Sequence, residues 1–264
     1  MKRHKKNFYA YHVVATLVCT LSMVPAALAL ELEAKLAWSQ RVELAMPVSG
    51  VIRKVSVNVG DRVKKNTSLL ELDDRAYRAA VSKARAAIKD LDEGQKEASR
   101  ELERAQQLFD GTMLSEHELQ MVKNAKLSAE ARYHSAKAEL VQAQLNLEYA
   151  TLRAPFDAII LQRHAEVGQT VVSQLKLETL IVLAAAGRML ATAYIPQEQL
   201  QGDMRDKPAM IRVNNQSRQG RVKSIGFEPV QRGQQKTSYY EIMIEFNTDG
   251  TALRAGQKAV IELP

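Results

Sequence analysis

From Asp74 to Phe109 the chain has no proline, and Tyr77, Val81, Ala84, Ile88, Leu91, Ala98, Leu102, Ala105 and Phe109 fall at intervals that alternate four and three, with Gln95 as the one polar intruder. A second series runs through Leu119, Val122, Ala129, Tyr133, Ala136, Leu140, Ala143, Leu147 and Ala150, interrupted by Lys126. Each is a heptad seam over more than four repeats, which predicts two long helices packed along one another. The break between them is short, so the pattern predicts an antiparallel coiled-coil hairpin over residues 74–150. At about 1.5 Å rise per residue, a 36-residue helix reaches roughly 54 Å. The outward positions mix Lys, Arg, Glu and Gln, as a solvated coiled-coil surface does.

The break itself, RAQQLFDGTMLSEHEL from Arg104 to Leu119, carries start and stop signals. Gly111 suits the C′ position after the first helix. Ser115 followed by Glu118 reads as a capping box, with Leu114 and Leu119 placed as its hydrophobic staple.

On either side of the helical region the pattern changes to short Val, Ile and Leu runs punctuated by turns, and the two flanks repeat one another. MPVSGVIRKVSVNVGDRV aligns with APFDAIILQRHAEVGQTV at an offset of 108, pairing Pro47 with Pro155, Ile52 with Ile160, Gly60 with Gly168 and Val63 with Val171. Continuing without a gap pairs Leu69 with Leu177 and Leu72 with Leu180. Two copies of one strand unit, separated by a hairpin that folds back on itself, predict a single pseudo-symmetric sandwich with the hairpin inserted. From Gly187 onward GRMLATAYI, AMIRV, GRVKSIGF, KTSYYEIMIEF and GQKAVIEL read as strands, and PQEQL as a short helix. In the fourth strand Tyr240, Ile242, Ile244 and Phe246 alternate with Glu241, Met243 and Glu245, as in a half-buried antiparallel strand.

Composition matters mainly through the first 29 residues, which run from a basic stretch through the apolar VVATLVCTLSMV to small residues at positions 27–29, the order of a secretory signal. An uncleaved membrane anchor is the alternative reading, because Val13 to Leu30 is 18 residues long. Cleavage removes Lys2, Arg3, Lys5 and Lys6, so 37 basic residues become 33 against 30 acidic and the net charge falls from +7 to +3. The nucleic-acid reading invited by a pI near 9.4 weakens accordingly. Cys19, the one cysteine, leaves with the same segment, and with it any disulfide or thiol metal site. His117, His134 and His164 have no companions at ligand spacing, and no phosphate loop or nucleophile elbow is present, so neither cofactor nor metal nor enzymatic chemistry is expected.

MPVSGVIRKVSVNVGDRVKKNTSLLELDD, LRAPFDAIILQRHAEVGQTV and LRAGQKAVIELP, placed around the helical region, resemble the periplasmic adaptor proteins, or membrane fusion proteins, of tripartite efflux pumps. The resemblance implies an α+β multidomain fold: a lipoyl-like β-sandwich split by the coiled-coil hairpin, followed by a small β-barrel. The corresponding divisions are a signal peptide at 1–29, a strand in 30–45 joining the barrel (around Leu36 to Ala45), half-motifs at 46–73 and 151–184, the hairpin at 74–150 and the barrel at 185–264. Gly50, Gly60, Pro155 and Gly168 would form the half-motif turns. Ala158 stands where the family usually has glycine, opposite Gly50, and asks for a less permissive backbone there. A membrane-proximal domain, which many such adaptors build from both chain ends, is expected to be absent.

In the efflux subgroup an arginine, a leucine four residues on and a serine seven further contact the outer-membrane channel. Arg104, Leu108 and Ser115 reproduce that spacing at the hairpin tip. The resemblance thus implies a non-enzymatic adaptor in the periplasm of a Gram-negative bacterium, associated with the inner membrane. It would join an inner-membrane transporter of the RND type to an outer-membrane efflux channel as a homo-oligomer, a hexameric ring, with no nucleic acid. An adaptor for an ABC-type exporter or type I secretion system is the alternative. A lipoylated or biotinylated carrier is disfavoured, because the helices occupy the place of its modifiable lysine.

Overall fold

The long four-and-three series do form helices in a computed structural model of the chain, which describes residues 30–173, 178–200, 202–231 and 237–263. The segment 1–29, with its signal or anchor reading, lies outside the described residues. In chain order the elements are β1 (Leu30–Trp38), β2 (Arg41–Leu44), β3 (Gly50–Val55), β4 (Arg62–Val63), β5 (Ser68–Leu72), α1 (Arg75–Asp110), α2 (Glu116–Tyr149), β6 (Thr151–Arg153), β7 (Ala158–Arg163), β8 (Thr170–Val171), β9 (Ile181–Ala185), β10 (Arg188–Pro196), β11 (Pro208–Val213), β12 (Gln216–Ile225), β13 (Tyr239–Asn247) and β14 (Lys258–Leu263). A 3₁₀ turn at Gln197–Gln199 stands where PQEQL predicts a short helix. Among the described residues no helix is long and apolar enough to cross a membrane. The described residues divide into two units, 38–189 and 30–37 with 190–263.

In the first unit α1 and α2 pack side by side. Every seam position from Tyr77 to Phe109 and from Leu119 to Ala150, Gln95 and Lys126 included, is buried or half-buried. Lys126 lies at the seam because Glu130, one turn on and half-buried itself, holds its ammonium at 2.7 Å. The base of the pair is tied to the sandwich by Tyr77, whose hydroxyl donates to the Ser49 carbonyl.

The sandwich consists of two four-stranded sheets, ordered β2-β9-β7-β4 and β6-β5-β3-β8. Each sheet takes strands from both sides of the helices. Gly50 pairs with Val171 and Val51 with Thr170, while the residues 108 positions away pair in mirror fashion, Ala158 with Val63 and Ile159 with Arg62. The side chains enclosed, including Ile52, Leu69, Leu72, Ile160 and Leu180, are at most 1% exposed. Ala158 is itself fully buried, and neither it nor Gly50 has a positive φ. The backbone there is extended in both copies, which is why alanine serves in one of them.

One expectation about the repeat is corrected. The Ser56 N–H donates to the Leu69 carbonyl at 2.8 Å, and its counterpart His164 donates at the same distance to Leu180, not to a residue 108 beyond Leu69. Likewise Ile52 pairs with Leu72 and Ile160 with Leu183. Leu69 therefore matches Leu180 and Leu72 matches Leu183, an offset of 111, so the second copy has three extra residues between Val171 and Leu180. Leu177 lies outside the described residues. A run of Leu at 175, 177 and 180 lets an ungapped alignment continue past an insertion that only the strand pairing exposes.

The second unit is a closed six-stranded barrel, ordered β1-β10-β13-β12-β11-β14. Ile195, Ile211, Val222, Ile242, Ile244 and Ile261 fill it at 0% exposure. The expected single strand in residues 30–45 is two strands with different partners. Leu30–Trp38 pairs with β14 in the barrel, and Arg41–Leu44 pairs with β9 in the sandwich. Ser39 and Gln40 break the alternation between them, which permits the change of sheet.

Gly220 sits where two neighbours approach closely in the barrel. A Cβ there would lie 2.5 Å from Ile211 Cδ1 and 2.8 Å from the Glu245 carbonyl oxygen. Gly220→Ala is expected to cost about 1–3 kcal/mol through overpacking, whereas at Gly226 a Cβ would meet only ordinary contacts at 3.7 Å or more, so Gly226→Ala should be nearly neutral. Denaturant unfolding of the two variants checks this, and equal midpoints would contradict it.

Candidate functional site

The candidate site is the turn between α1 and α2. Helix α1 runs one residue further than Phe109, so Gly111 is the C-cap itself, at φ −79° and ψ 7°, and not the left-handed C′ residue expected from the sequence. That place falls to Thr112, at φ 58°. The Thr112 N–H donates to the Phe109 carbonyl and the Met113 N–H to the Leu108 carbonyl, both at 2.9 Å, which is the Schellman pair of bonds. A β-branched residue in the left-handed region is strained. The tip thus holds a conformation that glycine would adopt freely, with Thr112 Oγ1 donating to the Gly111 carbonyl at 2.7 Å.

The start of α2 is capped as its sequence predicts. The Glu118 N–H donates to Ser115 Oγ at 3.3 Å, and Glu118 Oε2 accepts from the Ser115 N–H at 2.9 Å and from its hydroxyl at 2.6 Å. These bonds, the Ser115 hydroxyl foremost, hold the Glu118 carboxyl below its ordinary value of 4.5. Leu119 is 4% exposed, and Leu114 is half-buried.

Arg104 and Leu108 stand one turn apart on α1, beside the seam and exposed. The Arg104 guanidinium bridges Glu97 at 2.7 Å and Glu101 at 3.0 Å. The Glu97 carboxyl is lowered by Arg100 first and Arg104 second. Arg104 is 59% exposed, so these are weak, exchangeable pairs. Leu108 is 43% and Met113 73% exposed, which gives the tip an apolar surface beside a cation and a capped helix start.

The half-motif residues lie at the sandwich, where Gly50, expected in a turn, is instead the first residue of strand β3, paired with Val171. Gly60 and Gly168 occupy matching turns at φ 94° and 88°, and their N–H groups donate to Ile160 at 2.9 Å and Ile52 at 2.8 Å in the opposite copy. Pro155 is an exposed bend residue just before β7. Two positions not singled out from the sequence stand close by. Asp157 accepts from the Lys65 N–H at 2.8 Å, and its counterpart Ser49 accepts through Oγ from the Ser173 N–H at 3.0 Å. Their signal was the offset of 108 itself, extended to polar residues.

A family model described as the CzcB-like barrel-sandwich hybrid domain matches residues 40–181, more than half of the chain. The chain belongs to that family. The hybrid's matched span includes the first half-motif, the whole helix pair and all but the last three residues of the second half-motif. The macrolide export protein MacA of Yersinia pestis is 29% identical over 172 residues, covering 60% of this chain and 46% of that protein. The efflux pump periplasmic linker BepD of Brucella suis is 27% identical over 132 residues, 50% of this chain and 33% of that protein. This barrel-sandwich hybrid chain thus spans half or less of the length of these curated relatives. Among solved structures, the membrane fusion protein Spr0693 of Streptococcus pneumoniae R6 superposes with a TM-score of 0.68 at 14% identity, covering 89% of this chain and 98% of that one, which shows a shared fold.

Two outcomes are expected at the tip of this hybrid domain. Thr112→Gly should relieve the left-handed strain and stabilise the turn by about 0.5–1 kcal/mol after glycine's own entropy cost, seen as a higher unfolding midpoint; a lower one would contradict it. Because the folded Glu118 carboxyl is lowered, its capping contribution is fully present above pH 4.5 and is lost as pH falls through the folded value below it. A carboxyl NMR titration should place the Glu118 midpoint under 4.5, and Ser115→Ala should bring it back towards 4.5.

Proposed function

We propose that the chain is a non-enzymatic periplasmic adaptor that links an inner-membrane efflux transporter to an outer-membrane channel for export of small molecules. The observation that carries this reading is the helix pair: 36 and 34 residues inserted into a barrel-sandwich hybrid, reaching roughly 54 Å to a capped turn. An enzyme has no need of such an arm, whereas a connector between two membranes does. Names of the relatives, macrolide export protein and efflux pump periplasmic linker, support the same role.

In this reading α1 and α2 form a coiled-coil hairpin, and several copies, six by family resemblance, stand side by side as a ring. Arg104, Leu108 and Ser115 meet the periplasmic end of the channel. Arg104 exchanges Glu97 and Glu101 for carboxylates of the channel at little cost, because the pairs it gives up are exposed. Leu108 and Met113 supply apolar contact. The inner-membrane partner is an RND-type pump; similarity to a macrolide export protein favours an ABC-type exporter as the second reading.

A photocrosslinker on Met113→Cys, which leaves the capping box whole, tests the contact in the native cell. The expected result is capture of an outer-membrane channel, reduced at least tenfold by adding Leu108→Glu with Arg104→Glu. Capture that is insensitive to those two changes, or no capture by a chain that is folded and present, would overturn the tip contact.

A further inference from the structure

The outer face of the barrel carries a hollow of about 560 Å³ across four neighbouring strands, β10, β1, β14 and β11. A closed barrel is convex outside, so a hollow there needs walls. Asn214 and Asn215, in the turn between β11 and β12, and Val230, between β12 and β13, line it from beyond those four strands. Its size falls within the roughly 300–1,000 Å³ of small-molecule sites.

Strand register fixes which side chains face it. Lys35 of β1 lies directly opposite Lys258 of β14 and both are exposed, while Ala34 and Ala259 next to them are buried. Directly opposed residues have Cβ atoms about 4.5–5.5 Å apart, and like charges so placed repel. Two residues along, Arg212, Val260 and Glu33 form a row across β11, β14 and β1. Arg212 bridges Glu31 at 3.1 Å and Glu262 at 3.0 Å, so its charge is already matched. The two lysines have no such match, since neither forms an ion pair among the described residues. The side-chain amides of Asn214 and Asn215 likewise have no hydrogen-bond partner among them. Both asparagines are left-handed, at φ 49° and 61°, in a two-residue turn whose second place suits glycine best. Asparagine there keeps a polar group at the hollow that the backbone alone does not require.

We infer that the hollow binds a small amphiphilic anion, with its carboxylate, sulfonate or phosphate head between Lys35 and Lys258 beside the two asparagines, and its apolar body over Val260, Tyr194 and Val230. An anion at that place relieves a repulsion that folding leaves uncompensated. Glu33, about 6.6 Å along β1 from Lys35, sets the polarity of the ligand. A second negative group at the far end would meet that carboxylate, so the hollow suits one anionic head on an apolar body and disfavours a polyanion. The site belongs to the barrel alone and does not depend on what the helical arm contacts.

Anilinonaphthalene sulfonate, an aromatic anion whose fluorescence rises in apolar surroundings, tests the inference by titration into the purified full-length chain. Lys35→Gln with Lys258→Gln is expected to weaken binding at least tenfold, through loss of two charge-assisted contacts. Lys35→Arg with Lys258→Arg keeps both charges and should hold affinity within about threefold. Without ligand the glutamine pair should unfold at a higher midpoint than the natural chain, because the repulsion is gone, which separates lost binding from lost folding. Naphthoate should displace the probe, and naphthamide, of the same shape but neutral, should not. Binding that survives the glutamine pair, or equal displacement by acid and amide, would overturn the site. Sedimentation with phosphatidylglycerol vesicles identifies the source of the anion, and either result supports the site: retention lost in the glutamine pair assigns the head to a lipid, and lysine-dependent probe binding without retention assigns it to a free small molecule.

Discussion

Strand exchange between the half-motifs is the constraint on which the rest of residues 38–189 depends. β3 hydrogen-bonds to β8, and β7 to β4, so each copy of the repeat supplies the partner that the other lacks. Ile52 and Ile160 are buried at 1% because their strands lie in sheets completed from across the helical insertion. Neither copy has a closed core by itself, and the copies are separated by the 36 and 34 residues of α1 and α2. The sandwich therefore forms only when α1 and α2 bring its halves together, and the seam that joins the helices is paid for jointly with the sheets they connect. Tyr77, bonded to Ser49, marks where the two sets of contacts meet.

A rigid base and a long arm have a functional consequence at the far end. The turn is short, and its flanks are held by the Schellman pair on one side and the capping box on the other. What remains outward is a strained Thr112, the exposed Leu108 and Met113, and an arginine held by replaceable partners. Such a tip keeps its backbone fixed and leaves its side chains available, which suits recognition of a surface better than chemistry.

Much of this was legible in the sequence because it rests on periodicity. Both seams, the capping box at Ser115 and Glu118, and the matching turn glycines Gly60 and Gly168 follow from residue spacing and type. The failures have a common origin in backbone hydrogen bonding, which composition does not record. Gly111 looked like the left-handed residue because glycine prefers that state, yet one extra residue of helix moved the role to Thr112. The repeat looked gapless past Val171 because leucines recur there, and only the bonds at Leu69 and Leu180 reveal three additional residues. The N-terminal segment looked like one strand, though Leu30–Trp38 and Arg41–Leu44 pair in different sheets.

The length of the arm is the quantity on which the connector account turns. Removing residues 84–90 together with 136–142 takes one heptad from each helix at the same level, keeps both seams in phase and leaves the tip and sandwich untouched, while shortening the arm by about 10 Å. Copurification of an outer-membrane channel with the shortened chain, compared with the full-length one at equal abundance and equal helix content per residue, is the decisive measurement. The account predicts that copurification is lost. Channel recovered undiminished would contradict a role in which the helices span a fixed distance.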